Sequence, residues 1–78
     1  MDTNEVVTRL KALNNSDINL VVERYEDLII DRDISKELFS ESMNPTDKDF
    51  WGNQFNRREH EIRALVVLLR IFYKKYHL

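Results

Sequence analysis

Few residues in this chain have the types and spacing that chemistry requires. His60 and His77 are the only histidines, and there is no cysteine. Glu59-His60-Glu61 groups two carboxylates with an imidazole, but adjacent residues on a helix point to different sides. A zinc helix of the H-E-x-x-H kind needs two histidines four apart, so no metal site is predicted there. Asp31-x-Asp33-x-Ser35 has the opening spacing of an EF-hand loop. The match then fails, because Lys36 stands where that loop needs glycine and Ser42 where it needs a bidentate glutamate. These residues read as helix-capping side chains. A single glycine cannot build a phosphate cradle. No Ser–His–Asp set can be assembled, so the chain is predicted to be neither an enzyme nor a cofactor binder.

The remaining chemistry is cationic. Residues 1–50 carry six Lys/Arg against twelve Asp/Glu, and residues 51–78 carry six against two. An acidic first part and a basic last part predict mutual attraction within a bundle. Arg57, Arg63, Arg70, Lys74 and Lys75 could alternatively meet phosphates, where affinity comes from neutralising several at once. Their spread along the helix favours a solvated face, with Lys74 and Lys75 placed favourably at a helix C-terminus.

These groups must be positioned by helices. One Gly and one Pro in 78 residues leave too few turn residues for an all-β fold. Asp2 and Glu5 have capping-box spacing, followed by Val6, Leu10 and Leu13 at helical intervals. Asn14 and Asn15 predict a stop, since asparagine tolerates the left-handed conformation. A second helix, capped by Ser16 or Asp17, carries the apolar face of Ile18, Val21, Val22, Tyr25, Leu28 and Ile29. Asp31-Arg32-Asp33 interrupts that face and predicts a break, followed by a short third helix over 34–43. Asn44-Pro45-Thr46-Asp47 is the clearest boundary, with Thr46 or Asp47 as the next cap.

A long last helix follows. Trp51, Phe55, Arg58, Ile62, Leu65, Leu69, Phe72 and Tyr76 alternate at intervals of four and three, a heptad seam with one polar member. Gly52 predicts an irregular first turn. A membrane span needs about 20 mainly apolar residues in succession. Arg63 and Arg70 bracket the apolar run here, so none is predicted. Val66, Val67 and Leu68 make the helix apolar nearly all round, which is the pattern of a buried helix. The seam residues are therefore expected to form an interface, with a second copy covering what the chain's own helices do not.

Two stretches, "VVTRLKALNNSDINLVVERYEDL" and "REHEIRAL", resemble the small helical Hha/YmoA family of bacterial gene-expression modulators. The likeness covers Val6–Leu28 and Glu59–Leu65, with Arg9, Leu10, Lys11, Asp17 and His60 matching most closely. It implies a modulator that acts by binding a nucleoid protein. The intervening residues and the long apolar C-terminus depart from the family's pattern.

The sequence thus predicts one all-α domain over 1–78, with an acidic short-helix part at 1–44 and a long helix at 46–78. A short helical hairpin and a small third helix pack on that long helix, and the bundle is completed by dimerisation. The expected role is non-catalytic protein binding by a cytoplasmic regulator, inhibitor or adaptor. The alternative is a nucleic-acid- or nucleoid-associated modulator.

Overall fold

The computed structural model describes residues 2–77, and it is helical throughout apart from its caps and turns. The described residues form three helices: α1 (Thr3–Ala12), α2 (Ser16–Glu41) and α3 (Pro45–Lys75). Each start is set by a side chain that takes up amide protons the first turn leaves unpaired. Asp2 Oδ1 accepts from the Glu5 amide at 2.9 Å. Asn15 Oδ1 accepts from the amides of Asp17 and Ile18 at 3.0 and 3.1 Å. Asn44 Oδ1 accepts from the Thr46 amide at 2.8 Å. The caps expected at Ser16 or Asp17 and at Thr46 or Asp47 are therefore asparagines slightly upstream. Pro45 then occupies the first turn of α3, where its missing N–H is not needed. Asn14 ends α1 with φ 52°, the left-handed geometry that asparagine accepts.

The expected break at Asp31-Arg32-Asp33 does not occur. α2 runs unbroken from Ser16 to Glu41, so the separate helix over 34–43 is its second half. The stretch holds no glycine or proline, and charged residues alone do not stop a helix. What changes there is the chemistry of the contact with α3. Arg32 donates to Glu59 of α3 at 3.0 Å and to its neighbour Asp33 at 3.1 Å, so an ionic contact replaces an apolar one. The expected irregularity at Gly52 is also absent, since α3 is helical through that residue.

α2 and α3 form an antiparallel hairpin joined by Ser42-Met43-Asn44, and the whole measures 49 × 20 × 17 Å. At about 1.5 Å per residue, α2 is roughly 39 Å long and α1 only about 15 Å. α1 therefore covers less than half of the hairpin. It lies at the end holding the start of α2 and the end of α3, where Arg70 donates to Thr3 Oγ1 at 3.4 Å and Arg9 to the Tyr73 hydroxyl at 3.2 Å. The core follows that geometry. Val6, Val7 and Leu10 of α1 close on Ile18, Val22, Tyr25 and Leu28 of α2 and on Ile62 and Leu69 of α3. Toward the hairpin turn, the only buried side chain among the described residues is Ser35. Two helices lying side by side bury one stripe each, and only a third element can cover the groove between them.

Candidate interaction surface

The uncovered half of the hairpin carries a concentration of exposed apolar side chains: Ile30, Ile34, Phe39, Met43 and Phe50. Trp51 and Phe55 beside them are half-buried. Phe50 meets Trp51 edge-on with ring centroids 4.8 Å apart, and the Lys48 ammonium sits 5.0 Å from the Phe39 ring centroid. Between the helices a groove of about 420 Å³ is lined by Lys36, Phe39, Ser40, Gly52, Phe55 and Asn56. Gly52 shapes its floor, because a Cβ there would stand 3.3 Å from the Phe39 ring. A second recess of about 670 Å³ opens at the start of α1, where Val7, Tyr25, Ile29 and Ile30 form a step below Asp2 and Thr3. Arg32 lines that recess and Lys36, one turn on, lines the groove. Gly52, Asn56, Arg63 and Arg70 fall on one side of α3 by helical spacing, and Arg70 touches α1. Step and groove therefore lie on the same side as α1, one after the other.

The opposite side of the hairpin is ionic at mid-length. Arg24 of α2 donates to Glu61 of α3 at 3.1 Å, and Arg58 donates to the same carboxylate at 3.2 Å. Arg58 also lies 4.0 Å from Asp31. The one polar member of the heptad seam thus meets carboxylates of its own chain while remaining partly in water. The Arg32 guanidinium is opposed by partial burial, but its hydrogen bonds and charge contacts with Asp33 and Glu59 outweigh that and hold its pKa above the ordinary arginine value. It stays charged at any pH the fold will meet.

The seam residues have unequal fates. Ile62 and Leu69 are buried in the chain's own core, and Leu65 and Phe72 pack against that core. Trp51, Phe55 and Arg58 are half-buried along the hairpin, and Tyr76 is exposed beyond the end of α3. Of the eight, Phe55 lines the uncovered groove. Val67 and Ile71, outside the seam, face solvent on the far side of α3.

The five cations do not form one cluster. Arg63, Arg70 and Lys74 share the side of α3 next to α1, while helical spacing puts Arg57 and Lys75 on a different side. Among the described residues no group of three or more His, Asp or Glu could hold a metal ion. His60 on α3 and His77 beyond its end are both exposed and far apart. No helix among the described residues is long and apolar enough to cross a membrane. No protein family, curated protein or solved structure matches this chain.

The apolar side chains of the uncovered half do not follow one strict period. Ile34 and Phe39, five residues apart, lie on opposite sides of the α2–α3 contact, so no single apolar stripe marks them. The recoverable signal was length: α1 is too short to cover the helices that follow it.

Proposed function

We propose that this chain is a small non-catalytic protein-binding regulator or adaptor, that it works as a homodimer, and that its contact surface is the half of the hairpin left uncovered by α1. One observation supports this most: beyond the reach of α1 the hairpin exposes Ile30, Ile34, Phe39, Met43 and Phe50 and opens a groove lined by Phe39 and Phe55. Clustered apolar exposure of this kind marks interaction sites, whereas single exposed apolar residues are ordinary. A groove between two helices suits an amphipathic helix, which would supply the missing layer. The mixed-sign charges around it, with Lys36 and Lys48 near Asp33 and Asp49, favour a protein over a polyanion.

The test compares the parent with Phe39→Asp and Phe50→Asp as immobilised baits in host lysate, alongside titration of a random-sequence duplex over a salt series. The proposal expects a captured protein that both substitutions release while circular dichroism stays helical, and no measurable duplex binding. Capture indifferent to both substitutions would contradict it. So would duplex affinity that falls steeply with salt and is lost in Arg63→Glu and Lys74→Glu.

A further inference from the structure

We infer that the side of α3 turned away from α2 docks on a membrane surface containing anionic lipid, with the helix lying flat and Val67 and Ile71 entering the headgroup layer. This surface is distinct from the groove, and the inference stands apart from the protein-binding reading above. It starts from how charge is sorted on α3. Every exposed residue of that helix from Asn53 to Lys75 is cationic, aliphatic, asparagine or histidine, and none carries a carboxylate. The two glutamates in the stretch are half-buried and held by α2. Glu59 accepts from Arg32 at 3.0 Å, and Glu61 accepts from Arg24 at 3.1 Å.

The exposed cations border an aliphatic ridge. By helical spacing Arg63, Arg70 and Lys74 form one row, and Arg57 and Lys75 a second, roughly 120° further round the helix. Val67 and Ile71 lie between the rows, one turn apart, and are 61% and 55% exposed. The cations extend from Arg57 to Lys75, about 27 Å along the axis. This is the pattern of a helix in the plane of a bilayer. Aliphatic side chains enter the headgroup boundary, while Lys and Arg on either side reach up to the phosphates. α1 borders the first row, but its own carboxylates are engaged: Glu5 pairs with Arg9 at 3.5 Å and Asp2 accepts from the Glu5 amide at 2.9 Å.

The rest of the molecule is arranged to match. Arg24, Asp31 and Arg32 mark the side of α2 that meets α3, so Glu23, Glu37 and Glu41 fall on the side turned away. The short axes of the molecule measure 20 and 17 Å, about twice the ~8 Å over which charge is screened at physiological salt. A negative surface that meets α3 is therefore shielded from those carboxylates. The aliphatic ridge also favours lipid over a nucleic-acid duplex. A helix in the major groove needs hydrogen-bonding side chains at its apex to read base edges, and Val67 and Ile71 offer none, whereas a bilayer gains by burying them.

Co-sedimentation with phosphatidylcholine vesicles, with and without phosphatidylserine, tests the face. The parent should bind only where phosphatidylserine is present, and less as salt rises. Each Lys or Arg near such a surface contributes about fivefold in partition. Arg63→Gln with Lys75→Gln, one from each row, should therefore weaken binding roughly 25-fold. Val67→Ser with Ile71→Ser keeps every charge and should weaken it about tenfold by removing the aliphatic burial. Leu20→Gln, 66% exposed on α2, should leave it unchanged. Each replaced side chain is exposed, so circular dichroism should stay helical throughout. A parent that ignores phosphatidylserine, or binds phosphatidylcholine equally well, overturns the inference. So does binding that either paired variant leaves intact, or that Leu20→Gln weakens as much. A random-sequence duplex or poly-glutamate held more tightly than the anionic vesicles would also overturn it, assigning the face to a nucleic acid or an acidic protein.

Discussion

Leu10→Ala is the perturbation that best separates core from surface in this molecule. α1 is ten residues long, shorter than the roughly 12–15 residues an isolated helix needs even in a favourable sequence. Val6, Val7 and Leu10, all buried, provide its core contacts. Leu10 is fully buried between α2 and α3, and truncating such a leucine costs about 2–5 kcal/mol. Domains carry roughly 0.05–0.15 kcal/mol of stability per residue, or about 4–12 kcal/mol for this length, so a large share of the total would be lost. With a urea m-value near 1 kcal/mol per molar, as small proteins have, the midpoint should fall by about 2 M or more. Phe50→Ala removes a larger side chain, but one that is 52% exposed at the uncovered end, and should cost less than about 1 kcal/mol at low protein concentration. Two probes suit the assay: far-ultraviolet circular dichroism for all three helices and the fluorescence of Trp51 for the uncovered half. Both should move together for Leu10→Ala. The reasoning is refuted if Leu10→Ala costs under about 1 kcal/mol, or if Phe50→Ala costs as much.

Arg58→Leu should change stability by about 1 kcal/mol or less, because partly exposed ion pairs contribute little and Glu61 keeps Arg24 as a partner at 3.1 Å; denaturant melts will show it. Gly52→Ala should raise the melting temperature. Alanine gains up to about 1 kcal/mol in a helix interior, and the Phe39 ring it crowds at 3.3 Å is half in solvent and can give way. Asn15→Ala should cost about 1 kcal/mol in the same melts by removing the cap on two amides of α2.

Much of the fold was legible because apolar spacing and capping residues are local signals. The start of α1 at Asp2, its end at Asn14 and the long helix after Pro45 all follow from such signals. The break expected at Asp31-Arg32-Asp33 failed because a change of polarity is not a helix breaker. Those residues interrupt the apolar face only because the contact with α3 turns ionic there, through Arg32–Glu59 and Asp31–Arg58, partners whose proximity no local window reveals. The seam on α3 was visible, but not how its members divide. Ile62 and Leu69 are buried because α1 lies over that end, while Trp51 and Phe55 stay half-exposed because α1 stops short. Met43 carried no signal at all, since its exposure comes from the hairpin turn it occupies.

The central claim is that the uncovered half of the hairpin is the docking surface. Backbone amide chemical shifts of the isotope-labelled chain, followed from low micromolar to millimolar concentration and then with any captured target, test it most directly. The account predicts shifts confined to residues 29–43, residues 50–56 and the start of α1 around Val7, with the outer face around Val67 and Ile71 still. Shifts centred on Arg63, Arg70 and Lys74, or on Val67 and Ile71, with residues 29–43 unchanged, would contradict it.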